Sequence, residues 1–203
     1  MMSFPAFEVN GVLLSQEETG ENFLRISIFS EVGLQRCLLR KANKKKLFSP
    51  PDLFDDVEVI LKPASAGGLP FVKEYIVHSK RRKLGTNFEK FEAAGLLSRF
   101  YLANGEHLLD SSVFYKILRS ALSALVDEMD PSTVVFKALF VFASKEGLPV
   151  KEAWLQSQKQ TMREQVIELV ERPVAKSPHL AVYSSEWLSS LRNWLRAESE
   201  LIC

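Results

Sequence analysis

Apolar positions return every second residue along the first 79 residues of the chain and every third or fourth residue after Gly85. In Asn22 to Phe29, Leu24, Ile26 and Ile28 share one face, while Phe23, Arg25, Ser27 and Phe29 share the other. Val57 to Lys62 repeats the pattern, with Val57, Val59 and Leu61 inward and Glu58, Ile60 and Lys62 outward. A period of two with one apolar face predicts half-buried strands. Phe7 to Ser15, Gly33 to Lys41 and Phe71 to Ser79 complete a set of five. Breaks fall at Glu17 to Glu21, Glu31 to Gly33, Ala42 to Asp52 with its Pro50-Pro51, and Pro63 to Pro70 with its Gly67-Gly68. Five short strands in so little chain predict a small closed barrel, which leaves no exposed sheet edge.

The helical period begins with Thr86 as a cap, and Phe88, Phe91, Leu96 or Leu97, Phe100 and Tyr101 recur until Asn104-Gly105. Asp110 or Ser111 caps a second helix over Val113 to Met129, with an apolar stripe of Phe114, Ile117, Leu118, Ala121, Leu122 and Leu125. Asp130-Pro131 opens a third, a cap followed by proline at the first helical position, and Glu146-Gly147 closes it. Further helices are expected over Glu152 to Glu171 and Ser185 to Glu200, joined by a linker from Pro173 to Tyr183. The expected class is α+β, a five-stranded barrel over residues 1–84 and an all-α domain over 85–203.

Composition adds what the chain is not. The 203 residues, 46% hydrophobic and 25% charged, suffice for a real core and exclude a mostly disordered chain. Two distant cysteines, Cys37 and Cys203, make neither a disulfide framework nor a zinc ribbon. A reducing cytoplasm is therefore the expected compartment, with no export signal and no membrane span. Cys37 alternates with apolar neighbours and is expected in the barrel wall. His78, His107 and His179 are isolated, no P-loop or GxSxG occurs, and Glu17-Glu18 and Asp55-Asp56-x-Glu58 read as solvated acids. An enzyme is not expected, nor a metal or a cofactor.

The charge is more informative. Residues 1–84 carry 13 Lys or Arg against 10 Asp or Glu, and the remainder carries 13 against 15. Arg36, Arg40, Lys41, Lys44, Lys45 and Lys46 fall within eleven residues, with no acid between Glu31 and Asp52. Lys80, Arg81, Arg82 and Lys83 form a second cluster. Such clusters raise the local potential of a nearly neutral molecule and suit a polyanion.

The order of elements and three local strings resemble the RecO family of bacterial recombination mediators over nearly the whole chain. The first string is Gly11-Val12-Leu13-Leu14, the acidic turn Glu18-Thr19-Gly20-Glu21, the strand from Phe23 and the basic strand Gly33 to Lys46. The second is FKALFVFASKEGLP at Phe136 to Pro149, an apolar helix ending in a Gly-x-x-P-like turn. The third is Leu191-Arg192-Asn193-Trp194-Leu195 in the last helix. Many members carry a four-cysteine zinc module after the Gly-x-x-P turn, whereas this chain runs on through Trp154-Leu155-Gln156-Ser157 without cysteine. The resemblance implies an oligonucleotide/oligosaccharide-binding (OB) barrel and a nucleoid-associated protein that binds single- and double-stranded DNA and promotes annealing. It implies the tail of a single-strand-binding protein and RecR as partners.

Single-strand binding needs cations along the phosphates and aromatic faces for the bases. Arg36, Arg40, Lys41, Lys44, Lys45 and Lys46, Lys80 to Lys83, and Phe23, Arg25 and Phe29 on one strand face are the candidates. Against this stand a merely solvated loop at Lys44 to Lys46 and phenylalanines that belong to the core. An acidic, apolar partner tail is expected among the helices, with Arg99, Lys116 and Arg119 as its carboxylate partners. A protein-interaction scaffold that has lost DNA affinity is the competing reading.

Overall fold

Five strands form, and they close. In a computed structural model that describes residues 5–41, 50–64, 67–127 and 129–203, they are β1 (Phe7–Thr19), β2 (Phe23–Ser30), β3 (Gly33–Arg40), β4 (Asp56–Lys62) and β5 (Phe71–Ser79). They make a closed barrel in the order β1-β2-β3-β5-β4, with every pair antiparallel except β3–β5. This is a mixed, OB-like barrel. Val9, Leu13, Ile26, Ile28, Cys37, Leu39, Val57, Val59 and Leu61 fill its interior, so the alternation in β2 and β4 points inward as the sequence predicts.

β1 differs from expectation. It runs to Thr19 rather than ending at Ser15, because a register shift between Leu13 and Ser15 lets the strand bend and pair with β4 first and β2 afterwards. Gly11 pairs with both neighbours, and a Cβ there would sit 2.5 Å from Ile28 Cγ2 and 2.6 Å from the Phe29 carbonyl oxygen. Only glycine permits that approach.

Among the described residues five α-helices follow: α1 (Phe88–Asn104), α2 (Ser111–Val126), α3 (Pro131–Lys145), α4 (Gln160–Glu171) and α5 (Ala181–Glu198). The α1 cap is Asn87, whose Oδ1 accepts the Lys90 N–H at 3.0 Å, and not Thr86, whose hydroxyl donates to the Lys83 carbonyl. Leu97, Phe100 and Tyr101 are buried as expected, together with Ala93 and Ala94, whereas Phe88 and Phe91 at the start of the expected stripe are 77% and 43% exposed. The α3 cap is as read: the Asp130 carboxylate accepts the Thr133 N–H at 2.8 Å, with Pro131 opening the helix. The single helix expected over Glu152 to Glu171 is instead a π-helical turn, Val150–Leu155, followed by α4. The expected linker holds two short 3-10 turns, Val174–Lys176 and Pro178–Leu180.

Two compact units result. One comprises residues up to Arg81 with Gly105–Tyr115, and the other Arg82–Asn104 with Lys116–Cys203. In the second, Phe136 lies 5.8 Å from Trp154 and 5.7 Å from Trp187, and Phe142 packs edge-on against Phe100 and Tyr101. Among the described residues no helix is long and apolar enough to cross a membrane.

Candidate nucleic-acid interface

The outward face of β2 and β3 gathers the candidate side chains. Phe23 stands opposite Arg40, Arg25 opposite Leu38, and Ser27 opposite Arg36. The alternation that sends Ile26, Ile28, Cys37 and Leu39 inward sends these residues out. Because β5 inserts between β3 and β4, the row continues across the sheet. Leu38 pairs with Phe71 and Phe71 with Lys62, while Arg25 pairs on its other side with Glu17. One transverse row therefore reads Glu17, Arg25, Leu38, Phe71, Lys62. The Phe23 and Phe71 rings meet diagonally with centroids 5.7 Å apart and planes tilted by 60°.

Among the described candidate cations beside this face, three have carboxylate partners: Arg25 with Glu17, Arg36 with Glu106, and Lys41 with Glu18 at 3.1 Å. All three pairs include solvent-exposed groups, so each holds its cation in place without removing it from reach. Arg40 and Lys62 are exposed and have no ion-pair partner among the described residues. Lys44, Lys45 and Lys46 lie outside the described residues.

Two of the described candidates are buried. Phe29 is fully buried and offers no face to a base. Arg81 is buried too: its guanidinium donates to Asp56 Oδ2 at 2.9 Å and to the Phe54 carbonyl, and its backbone N–H donates to Asp55 Oδ1. It fastens the end of β5 to the start of β4, which is a structural task. Its neighbours Lys80, Arg82 and Lys83 are exposed. The periodicity of β2 correctly separates Phe29 from the barrel interior, but alternation alone does not say which outward residues are covered.

Phe71 and Lys62 were not singled out by the sequence. Their signal is present only as the outward parity of Lys62 and the position of Phe71 directly after Pro70. The antiparallel β4–β5 pairing makes them neighbours, and the parallel closure of β3 on β5 brings them beside the β2–β3 residues.

In the helical unit, a cavity of about 630 Å³ opens between α2, α3 and Pro173–Ala175. Ile117, Ala124, Val134, Ala138 and Val141 give it apolar walls, and Lys116 stands on its lining. Arg99 and Arg119 are exposed but lie outside that lining. Lys137 also lines it, with its ammonium donated to the Leu169 carbonyl at 2.9 Å and to the Arg172 carbonyl. Desolvation by burial lowers the Lys137 pKa from its ordinary value.

Comparison of the sequence with protein-family models and with curated proteins finds no match to either.

Proposed function

We propose that the protein is a RecO-like, non-enzymatic DNA-binding protein that holds strands electrostatically and promotes their annealing and loading in recombinational repair. The observation that carries this reading is the outward face of β2, β3, β5 and β4, where Arg25, Arg40 and Lys62 stand around Phe23 and Phe71 and Arg36 lies further along β3. That face of an OB barrel is a usual seat for oligonucleotides. Lys41 leads from it directly into the chain that carries Lys44, Lys45 and Lys46. Cations lower the repulsion between two phosphate backbones, and strands held together reach a high effective concentration, so annealing needs no nucleotide hydrolysis.

A salt titration tests it. With about four to six phosphate contacts at about −0.7 each, log affinity for a single strand should fall against log salt with a slope of roughly −3 to −4. Reversing Lys44, Lys45 and Lys46 to Glu should abolish binding with the fold intact. A flat salt dependence, or a triple reversal that leaves affinity unchanged, would refute phosphate tracking.

A specific observation favours the scaffold reading as the second: Arg25, Arg36 and Lys41 each spend a charge on a carboxylate of the same chain. On that reading the cavity between α2 and α3 is the working surface. On either reading it is a candidate seat for the acidic, apolar tail of a single-strand-binding protein, with Lys116 receiving a carboxylate. RecR is a further proposed partner.

A further inference from the structure

Phe71 leaves part of its ring in water. It is 39% exposed on a closed barrel, on the outward side of β5, between Lys62 of β4 and Leu38 of β3. Phe23, half-buried, braces it from the diagonal position, and Arg40 stands directly opposite Phe23. A tilted aromatic pair of this kind fixes the orientation of the exposed ring before any ligand arrives.

We infer that Phe71, braced by Phe23, is a stacking seat for one unpaired nucleobase, with Lys62 and Arg40 positioned for the phosphates on either side of it. The inference rests on the DNA-binding reading above and adds to it a selection for single strands. Adjacent strands of a sheet lie about 4.8 Å apart, so the cations flank the ring at side-chain reach of a nucleotide's own backbone. A stacked base contributes affinity through its π-face, which every base has and which a duplex keeps within its own stack. The seat therefore discriminates unpaired from paired strands without reading sequence. Phe29, the other phenylalanine of this strand face, is buried and takes no part.

The test uses the full chain with fluorescein-labelled dT20, the same strand with abasic sites throughout, a 20-base-pair duplex and rU20. For Phe71→Ala, affinity for dT20 should fall about tenfold, while duplex affinity and the salt slope stay those of the unsubstituted protein. Phe71→Tyr keeps the π-face and should restore dT20 binding. An unchanged thermal melt of both variants separates stacking from folding. The unsubstituted protein should bind the abasic strand about as weakly as Phe71→Ala binds dT20. An equal Phe71→Ala loss with rU20 supports the same seat without discrimination of the sugar. Binding of dT20 with the expected salt slope but no loss in Phe71→Ala, or equal affinity for dT20 and the abasic strand, overturns the seat and leaves the DNA-binding reading standing. No binding of any strand by the unsubstituted protein overturns both.

Discussion

Cys37 shows how far one residue's surroundings can move its chemistry. It lies fully buried in the barrel interior in the same cluster as Ile26, Ile28, Leu39 and Val59, and burial pushes its thiol up to about 12. The neutral thiol is thus favoured by the fold. An unfolded cysteine ionises near 8.5, so from about pH 9 to about pH 12 the folded protein binds the extra proton and stability falls as pH rises, by about 1.4 kcal/mol per unit. Below that window the thiol makes no pH-dependent contribution. We expect the unfolding free energy of the unsubstituted protein to drop about 2.5 kcal/mol more between pH 8 and pH 10.5 than that of Cys37→Ala. Equal drops in urea titrations would show that the buried thiol is not the group responsible. The same burial makes Cys37 inert to thiol reagents until the barrel opens. Arg81 teaches a related lesson at the same scale: within one run of four basic residues, the one that meets Asp56 is taken into the fold, and its neighbours stay in water.

Strands and helices decide which side chains can cooperate. The ion pairs of Arg25 and Arg36 tie β2 to β1, and β3 to the segment after α1. Exposed pairs of this kind contribute about 0–1 kcal/mol, so on the proposed DNA-binding reading phosphates would displace them readily, with each carboxylate competing against the incoming anion. Glu106→Gln should therefore strengthen single-strand binding a few-fold at low salt, with the gain fading as salt rises. Weaker binding instead would mean that Glu106 holds Arg36 in its productive position. Much of this element layer is legible in the sequence. The two-residue period gives the inward faces of β2 and β4, and Asp130-Pro131 marks the start of α3, because both depend on local chemistry. The site is legible only in part. Phe23, Arg25, Arg36 and Arg40 follow from strand parity, whereas Phe71 and Lys62 join them through a parallel β3–β5 pairing between residues far apart in sequence. Phe88 and Phe91 fail for a similar reason: the spacing of α1 marks which residues share a face, but tertiary packing decides where along that face burial begins, and here it begins at Ala93 and runs through Leu97, Phe100 and Tyr101.

At the scale of the whole molecule, the barrel unit carries the basic and aromatic face and the helical unit carries the apolar cavity, each beside a core of its own. Two surfaces on two units can be altered one at a time, which separates the competing functions experimentally. Ala124 is half-buried on the cavity wall. Ala124→Glu places both bulk and negative charge where an acidic, apolar tail would seat. It should abolish binding of a peptide made of several aspartates and an apolar C-terminus, while leaving dT20 affinity and its salt slope unchanged. Reversal of Lys44, Lys45 and Lys46 to Glu should do the opposite, losing DNA and keeping the peptide. On the proposed DNA-binding reading, annealing of complementary strands coated with a single-strand-binding protein should need both surfaces: the tail would bring the protein to the strand and the cations would then hold two backbones together. Either variant alone should therefore slow annealing of coated strands, and only the lysine reversal should slow annealing of naked ones. If Ala124→Glu removes peptide binding while the lysine reversal changes neither DNA affinity nor annealing, the barrel is a support for a protein-docking helical unit, and the scaffold reading replaces the electrostatic one.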